Sequence, residues 1–403
     1  MHAQNAVPRP PLAAGQHHYL NETWGEELRG GWPPADFLLA LLRDDPAFFG
    51  EQFSNFGYLP DPDDDLPIGL KRGSVDPTRV AKTCALCHIA ELQDGTRWLG
   101  LPNTRLRPDA LRAEVSARWV AAGNPPLMDD LERDKALALG PGRASAEPAG
   151  HPQIIAIDFP PYFDQGRRRH FGSMGVDRDA RTSAYLSLFL GSGVGHPNDA
   201  EALIPWPPDD RPDRLVDFLV TLAPPPAPPV AGDIDRGAQV FAEAGCGDCH
   251  HPGEPERDGV IPLDRSDPPR ARRPGEDPDW PDGSIDTDPL VLTLQSEDMG
   301  EGGIVVRDVV LFIARHLLRV GPTDGYRVPE LVALWATAPY LHNGSVPTLQ
   351  ALLSPPAERP VSFELHGFLY DTALPGNGNG GHAFGVDLPP DDKAALIAWL
   401  MSR

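Results

Sequence analysis

Cysteine is scarce in this chain, with four in 403 residues, so any chemistry that needs thiols has few to draw on. Long apolar runs are missing too. No stretch approaches the ~20 uninterrupted apolar residues of a membrane-spanning helix, which excludes a span of that kind. Basic residues are in the minority, 35 against 58 acidic, for a formal net charge of −23. Such a surface repels nucleic acid and anionic lipid; it serves solubility first and would steer a basic partner. The opening Met1-His2-Ala3-Gln4-Asn5-Ala6 has neither the charged nor the apolar region of a signal peptide.

What the four cysteines do form is one pattern written twice, Cys84-Ala85-Leu86-Cys87-His88 and Cys246-Gly247-Asp248-Cys249-His250. C-x-x-C-H is the attachment site for c-type haem. The two thiols add across the two vinyl groups of one haem, and the adjacent histidine ligates the iron from the proximal side. Two covalently bound haem c groups are therefore expected, one on Cys84, Cys87 and His88 and one on Cys246, Cys249 and His250. A zinc site made from both pairs, or a thioredoxin-like redox pair, is the competing interpretation. Against zinc, the pairs lie in opposite halves of the chain and each is followed directly by histidine. Haem is attached to such motifs outside the cytoplasm, so a periplasmic or secreted location is expected although no leader is visible.

Proline and glycine are abundant, 48 and 40 residues, which predicts long irregular connections around a modest helical core. The run Ala223-Pro224-Pro225-Pro226-Ala227-Pro228-Pro229-Val230 reads as a semi-rigid linker. It divides the chain into 1–222, a linker at 223–230, and 231–403, with one haem motif on each side. The expected fold is mainly α, two cytochrome c-like haem domains in tandem with long irregular loops. A short amphipathic helix over Asp235–Ala244 leads into Cys246, the way small cytochrome c domains open. Pro390, Asp391 and Asp392 followed by Leu396, Ile397, Trp399 and Leu400 predict a terminal helix. Asp213–Leu222 ends the first half similarly, and the first and last helices of such domains cross. Proline-rich Gly253–Asp288 reads as a surface loop, and Val305–Leu318 returns to helical periodicity.

The run Ala336-Thr337-Ala338-Pro339-Tyr340-Leu341-His342-Asn343-Gly344-Ser345-Val346-Pro347-Thr348-Leu349 resembles the T-A-P-Y-x-H-(D/N)-G-S-x-x-T-L segment of the bacterial dihaem cytochrome c peroxidase superfamily. Glu358-Arg359-Pro360 and Gly376-Asn377-Gly378-Asn379-Gly380-Gly381-His382-Ala383-Phe384-Gly385 resemble the dihaem rubber-oxygenase branch of it. Phe56-Gly57-Tyr58-Leu59-Pro60 and Leu66-Pro67-Ile68-Gly69 are similar to that branch's N-terminal region. The resemblance is dense from Val328 onward and thin elsewhere.

That resemblance bears on the second axial ligands. Dihaem peroxidases typically give the second-domain haem a distal Met after the H-(D/N)-G segment, but no Met lies between Met299 and Met401. In the oxygenase branch the histidine matching His382 is the distal ligand, so the resemblance implies a bis-histidine iron on His250 and His382, suited to electron storage. A loop histidine with only hydrogen-bonding duties is the alternative. For the first haem, no histidine occurs between His88 and His151. A missing sixth ligand leaves His88 beneath an iron open to O2 or peroxide and makes it the catalytic histidine. His151, His170, His196, Met128 and Met174 remain alternative ligands. The resemblance also allows a calcium ion between the domains, for which no loop stands out.

The other candidates have supporting roles. Tyr340 and His342 would order the second haem's loop and propionates, and Trp335 would ease electron transfer or simply pack. Arg167-Arg168-Arg169 would neutralise propionates or form a solvated charge run. The expected activity is an oxidoreductase in which haem 1 meets a small oxidant, O2 or peroxide, and haem 2 relays electrons from a reductant, a polymer substrate or a basic redox partner. An oxygenase would line haem 1 with aromatics, for which Phe159, Tyr162, Phe163 and Phe171 are candidates. A dihaem peroxidase would need a distal acid or amide, with Glu114 and Gln153 as candidates. A non-catalytic dihaem carrier would have both irons saturated.

Overall fold

A computed structural model of the chain describes residues 10–24, 27, 31–145, 154, 156–168, 210–262 and 325–403. Helix is the main regular structure, and strands occur among the described residues only as two-stranded sheets. The chain gathers into two units. The first takes its described residues from 10–165, 210–223 and Glu364–Leu369; the second takes them from 166–168, 224–262, 325–363 and Tyr370–Arg403.

In the first unit the helices include α1 (Pro10–Asn21), α2 (Ala35–Asp44), α3 (Cys84–His88), α4 (Pro108–Ala121), α5 (Asp130–Ala138) and α6 (Arg211–Leu219). Helices α1 and α6, first and last in order, pack on each other. Gly15 permits the approach, because a Cβ there would collide with the Arg214 carbonyl oxygen. Four residues on, Tyr19 meets Phe218 edge to face, ring centroids 5.5 Å apart. The core includes Leu38, Phe49, Phe53, Tyr58, Leu111 and Leu86. Leu86 lies inside the first C-x-x-C-H, so apolar burial of ~1.5–3 kcal/mol per such side chain also seats the haem motif. Hairpin β1 (Leu70–Arg72)–β2 (Val80–Lys82) precedes α3, and β3 (Ile89–Glu91)–β4 (Arg97–Leu99) follows it. Strand β5 (Arg143–Ser145) pairs with β6 (Ala156–Asp158).

The second unit repeats the helix pair. Helix α7 (Ile234–Glu243) opens on Asp233, whose side chain accepts the Arg236 N–H, and packs on α8 (Pro390–Met401). Gly237 is the crossing point: a Cβ there would collide with the Ala395 carbonyl oxygen. Four residues on, Phe241 lies against Trp399, centroids 4.6 Å apart. A glycine, three residues and an aromatic thus serve both crossings. Arg236 adds Nε–H to Asp392 at 2.8 Å and Nη1–H to Glu243 at 3.0 Å.

Part of the stretch read as loop is ordered pairing. Strand β7 (Val260–Pro262) pairs with β8 (Gly325–Arg327); Pro262 sits at the strand's end, where a missing N–H costs little. The rest of that stretch from 263, and the periodic Val305–Leu318, lie outside the described residues. Hairpin β9 (Ser362–Leu365)–β10 (Phe368–Asp371) precedes the glycine-rich loop. Among the described residues no helix is long and apolar enough to cross a membrane.

Candidate haem sites

The first C-x-x-C-H is the single turn α3, and its backbone is pinned at both ends. Thr83 donates its N–H to the Gly69 carbonyl at 2.8 Å and its Oγ1 to Leu20 at 3.2 Å. The Cys87 carbonyl accepts from Asn103 N–H at 2.9 Å, and the His88 carbonyl from Gly100 N–H at 2.8 Å. On the imidazole, Nδ1 lies 3.1 Å from the Pro160 carbonyl oxygen. A carbonyl only accepts, so the proton sits on Nδ1 and the lone pair is left on Nε2. Burial pushes the pKa down to about 3 despite that bond, which keeps the ring neutral. The His88 ring stacks on Tyr162, centroids 3.7 Å apart at 17°, and meets Phe159 edge-on at 6.4 Å.

The second motif repeats the device. His250 Nδ1 lies 3.2 Å from the Pro329 carbonyl oxygen. Both prolines stand two residues past the end of a strand, Asp158-Phe159-Pro160 after β6 and Arg327-Val328-Pro329 after β8. Burial, with His382 nearby, pushes His250 down to about 4. Here the ring faces another imidazole: His250 and His382 have centroids 6.2 Å apart. Metal–nitrogen bonds of ~2 Å on opposite sides of one ion place two imidazole centres ~6 Å apart. Burial likewise pushes His382 down to about 4, and its Nδ1 is buried with no hydrogen-bond partner among the described residues. Two neutral rings at this spacing fit one iron.

Burial favours the protonated form of three of the four cysteines. Burial pushes Cys84 up to about 12 and Cys249 up to about 11, and raises Cys246. Among the described residues no three His, Cys, Asp or Glu side chains converge as a metal site of their own.

The glycine-rich loop is held by the segment before it. Asn343, fully buried, donates from Nδ2 to the carbonyls of Gly376 and Gly378, both at 3.0 Å. Ser345 Oγ also donates to Gly378, and Tyr370 Oη donates to the Asn343 carbonyl, both at 2.9 Å. Tyr340 is committed locally, its hydroxyl donating to Leu334 at 2.9 Å. His342 stacks on Tyr326, centroids 4.2 Å apart. Trp335 lies in the turn Leu334–Ala336, its indole N–H buried without a partner among the described residues.

The arginine run makes protein ion pairs: Arg167 with Glu256 at 3.0 Å, and Arg168 with Glu330 at 2.5 Å. Glu330 also receives Arg327 through both oxygens. Glu114 stands on α4 close enough to act on the charge of Arg107, and Phe163 is fully buried. Arg169, Phe171, Gln153, His151, His170, His196 and Met174 lie outside the described residues; of the alternative ligands to haem 1, Met128 is within them. The proline carbonyls escaped the sequence reading, as did the grip of Asn343 on the glycine-rich loop, though Asn343 itself stands in the H-(D/N)-G segment. A proline shortly after a short strand is the only signal that could have flagged the first.

A family model described as RoxA-like, cytochrome c-like, matches residues 325–364. The matched stretch runs from β8 through Pro329 and Tyr340–Ser345 to Arg359 and β9. That stretch is similar to a cytochrome c-like segment. Two relatives from Sinorhizobium fredii (strain NBRC 101917 / NGR234) are similar over parts of the chain. The uncharacterized protein y4iJ is 46% identical over 102 residues, 19% of this chain and 17% of that protein. The uncharacterized protein y4iM is 54% identical over 53 residues, 13% of this chain and 12% of that protein. The chain thus matches well under two thirds of either relative's length. A crystal structure described as a MauG-like protein associated with microbial copper homeostasis overlaps 66% of this chain and 80% of that one, with 15% identity and a TM-score of 0.32. At that score the overlap carries no conclusion about fold or activity.

Proposed function

We propose that the chain is an exported dihaem c-type oxidoreductase, with one haem on Cys84, Cys87 and His88 and the other on Cys246, Cys249, His250 and His382. The first haem would supply binding and activation of O2 or peroxide, and the second would supply electron relay. The observation that carries this is an asymmetry between two otherwise matching motifs. Both proximal imidazoles are held neutral with Nδ1 on a proline carbonyl. Among the described residues only His250 faces a second imidazole, at 6.2 Å, whereas the ring neighbours of His88 there are Tyr162 and Phe159. An iron with both axial positions filled passes electrons, and one with a free face can bind an oxidant.

The RoxA-like match favours an oxygenase; Phe159 and Tyr162, packed on the His88 ring, would shield the proximal side of the first haem from water. The reductant or organic polymer that such an enzyme would consume is part of this proposal. Electron paramagnetic resonance of the holoprotein tests it directly. One high-spin and one low-spin signal are expected; two low-spin signals would make the chain an electron carrier. Oxygen uptake with latex, run beside peroxide turnover, separates oxygenase from peroxidase. A colourless product, or a mass without two haems, ends the proposal.

A further inference from the structure

We infer that Arg359 is the positioning residue that holds the distal histidine of the second haem, an inference that rests on His250 and His382 being the two ligands of one iron. Arg359 is only 4% exposed. Its guanidinium has five N–H donors in a fixed fork, and backbone carbonyls take every bond it makes among the described residues. Nε donates to Ser354 at 3.2 Å, and Nη2 to Leu352 and His382, both at 3.0 Å. Nη1 donates to Asn379 and Gly381. Burial lowers its pKa, and among the described residues no carboxylate offsets that. A cation buried on carbonyls alone is costly.

Three of those carbonyls belong to one short piece of chain, Asn379, Gly381 and His382. His382 itself adopts φ +61°, the left-handed region that costs a non-glycine residue roughly 1–2 kcal/mol. Such a conformation persists where the surroundings over-determine it. Here Arg359 grips the loop at His382 while Asn343 grips it at Gly376 and Gly378. Asn379 Nδ2 closes the circuit by donating to the Pro360 carbonyl at 2.9 Å.

The contrast with the proximal histidines sharpens the assignment. His88 and His250 are oriented through their own rings, by Nδ1 on a proline carbonyl. His382 has no such ring bond among the described residues. Its aim is therefore set through its backbone, and the group on that backbone is Arg359. Lysine cannot replace it, because an ammonium is a point donor that cannot span five carbonyls.

The test compares the full-length holoprotein with Arg359→Lys, Arg359→Gln and His382→Ala, reading haem 2 spin state against the unchanged signal of haem 1. His382→Ala should abolish the low-spin signal of haem 2, with added imidazole restoring it. Arg359→Lys keeps the charge but loses the fork. It should raise the high-spin to low-spin ratio at haem 2 by ~10-fold or more, the usual effect of removing an outer-shell partner, and imidazole should reverse the change. If His382→Ala leaves haem 2 unaltered, the ligand assignment falls. If His382→Ala acts but both Arg359 variants keep the wild-type ratio, the assignment stands and the inference is overturned. Loss of holoprotein in both Arg359 variants beside a folded His382→Ala would also overturn it, by making Arg359 a residue of the fold and not of the ligand's placement.

Discussion

The hydroxyl of Tyr19 donates a 2.5 Å hydrogen bond to the carbonyl oxygen of His88, tying the N-terminal helix of the first unit to the last residue of its haem motif. The same hydroxyl accepts the Gly100 N–H at 3.2 Å. In the second unit the residue four past the crossing glycine is Phe241, which has no hydroxyl to offer. The two haem motifs are thus braced differently.

Tyr19→Phe should therefore weaken the first unit alone. Gly100 still satisfies the His88 carbonyl, so the loss is one net hydrogen bond, ~1 kcal/mol. Denaturant unfolding followed at each haem's absorption should show the haem 1 spectrum changing at lower denaturant and the haem 2 transition unmoved. Phe241→Tyr supplies the control, with no gain at haem 2.

Gly237→Ala should cost ~3 kcal/mol, toward the upper end for overpacking. The atom met is the Ala395 carbonyl oxygen, which cannot swing aside as a side chain could. Gly15→Ala meets the Arg214 carbonyl in the same way. Thermal unfolding of both variants should show similar losses; a neutral result at either site would mean the helices can separate without penalty.

Tyr162 should report on the first haem and not the second. Tyr162→Phe keeps the ring stacked on His88, while Tyr162→Ala removes an aromatic contact of ~0.5–1.5 kcal/mol and uncovers one side of the imidazole. The alanine variant should shift the haem 1 absorption and its ligand-binding rate, and the phenylalanine variant should resemble wild type. Equal effects would assign the role to the hydroxyl instead.

Lys71 gives a pH-dependent prediction. Its ammonium bonds Asp61 at 2.9 Å and Asp64 at 2.6 Å, bracing the loop whose Gly69 carbonyl receives the Thr83 N–H. Burial pushes the Asp64 carboxyl up, but the bonds from Lys71 and Leu66 outweigh it and leave the pKa lowered. Burial pushes Lys71 down, but its two carboxylates outweigh that and leave it raised. A lowered carboxylate stabilises above its unfolded pKa of ~3.9, and that stability is lost as pH falls through the folded value. A raised lysine stabilises below its unfolded pKa of ~10.4, and that is lost as pH rises through the folded value. Lys71→Met should cost about 2 kcal/mol near neutrality, between the exposed and fully buried cases. The gap to wild type should close at both acid and alkaline extremes; a gap independent of pH would place the effect in packing.

The last helix of each unit's helix pair was legible from its apolar spacing. Leu215, Phe218 and Leu219 on α6 and Leu396 and Leu400 on α8 are buried as their spacing implies. Helix α1 was not. Between its contact residues Gly15 and Tyr19 stand Gln16, His17 and His18, so its face shows no apolar period, and a crossing glycine leaves no hydrophobic mark. The pairing of β7 with β8 was hidden for a related reason: three-residue strands from distant parts of the chain are too short to alternate visibly. Arg167 and Arg168, open to two interpretations as a run of charge, are claimed by Glu256 and Glu330, acids far from them in sequence.

By itself the order of residues determined the local chemistry: two cysteines and a histidine within five positions stay together in any fold, because covalent neighbours need no tertiary contact to meet. It also determined that nothing else in the chain carries a thiol, and that its surface is strongly acidic. Tertiary structure alone decided which proline carbonyl sets each tautomer and which arginine grips the glycine-rich loop. Those relationships run through backbone carbonyls, which every residue type supplies alike, so no side-chain pattern could announce them.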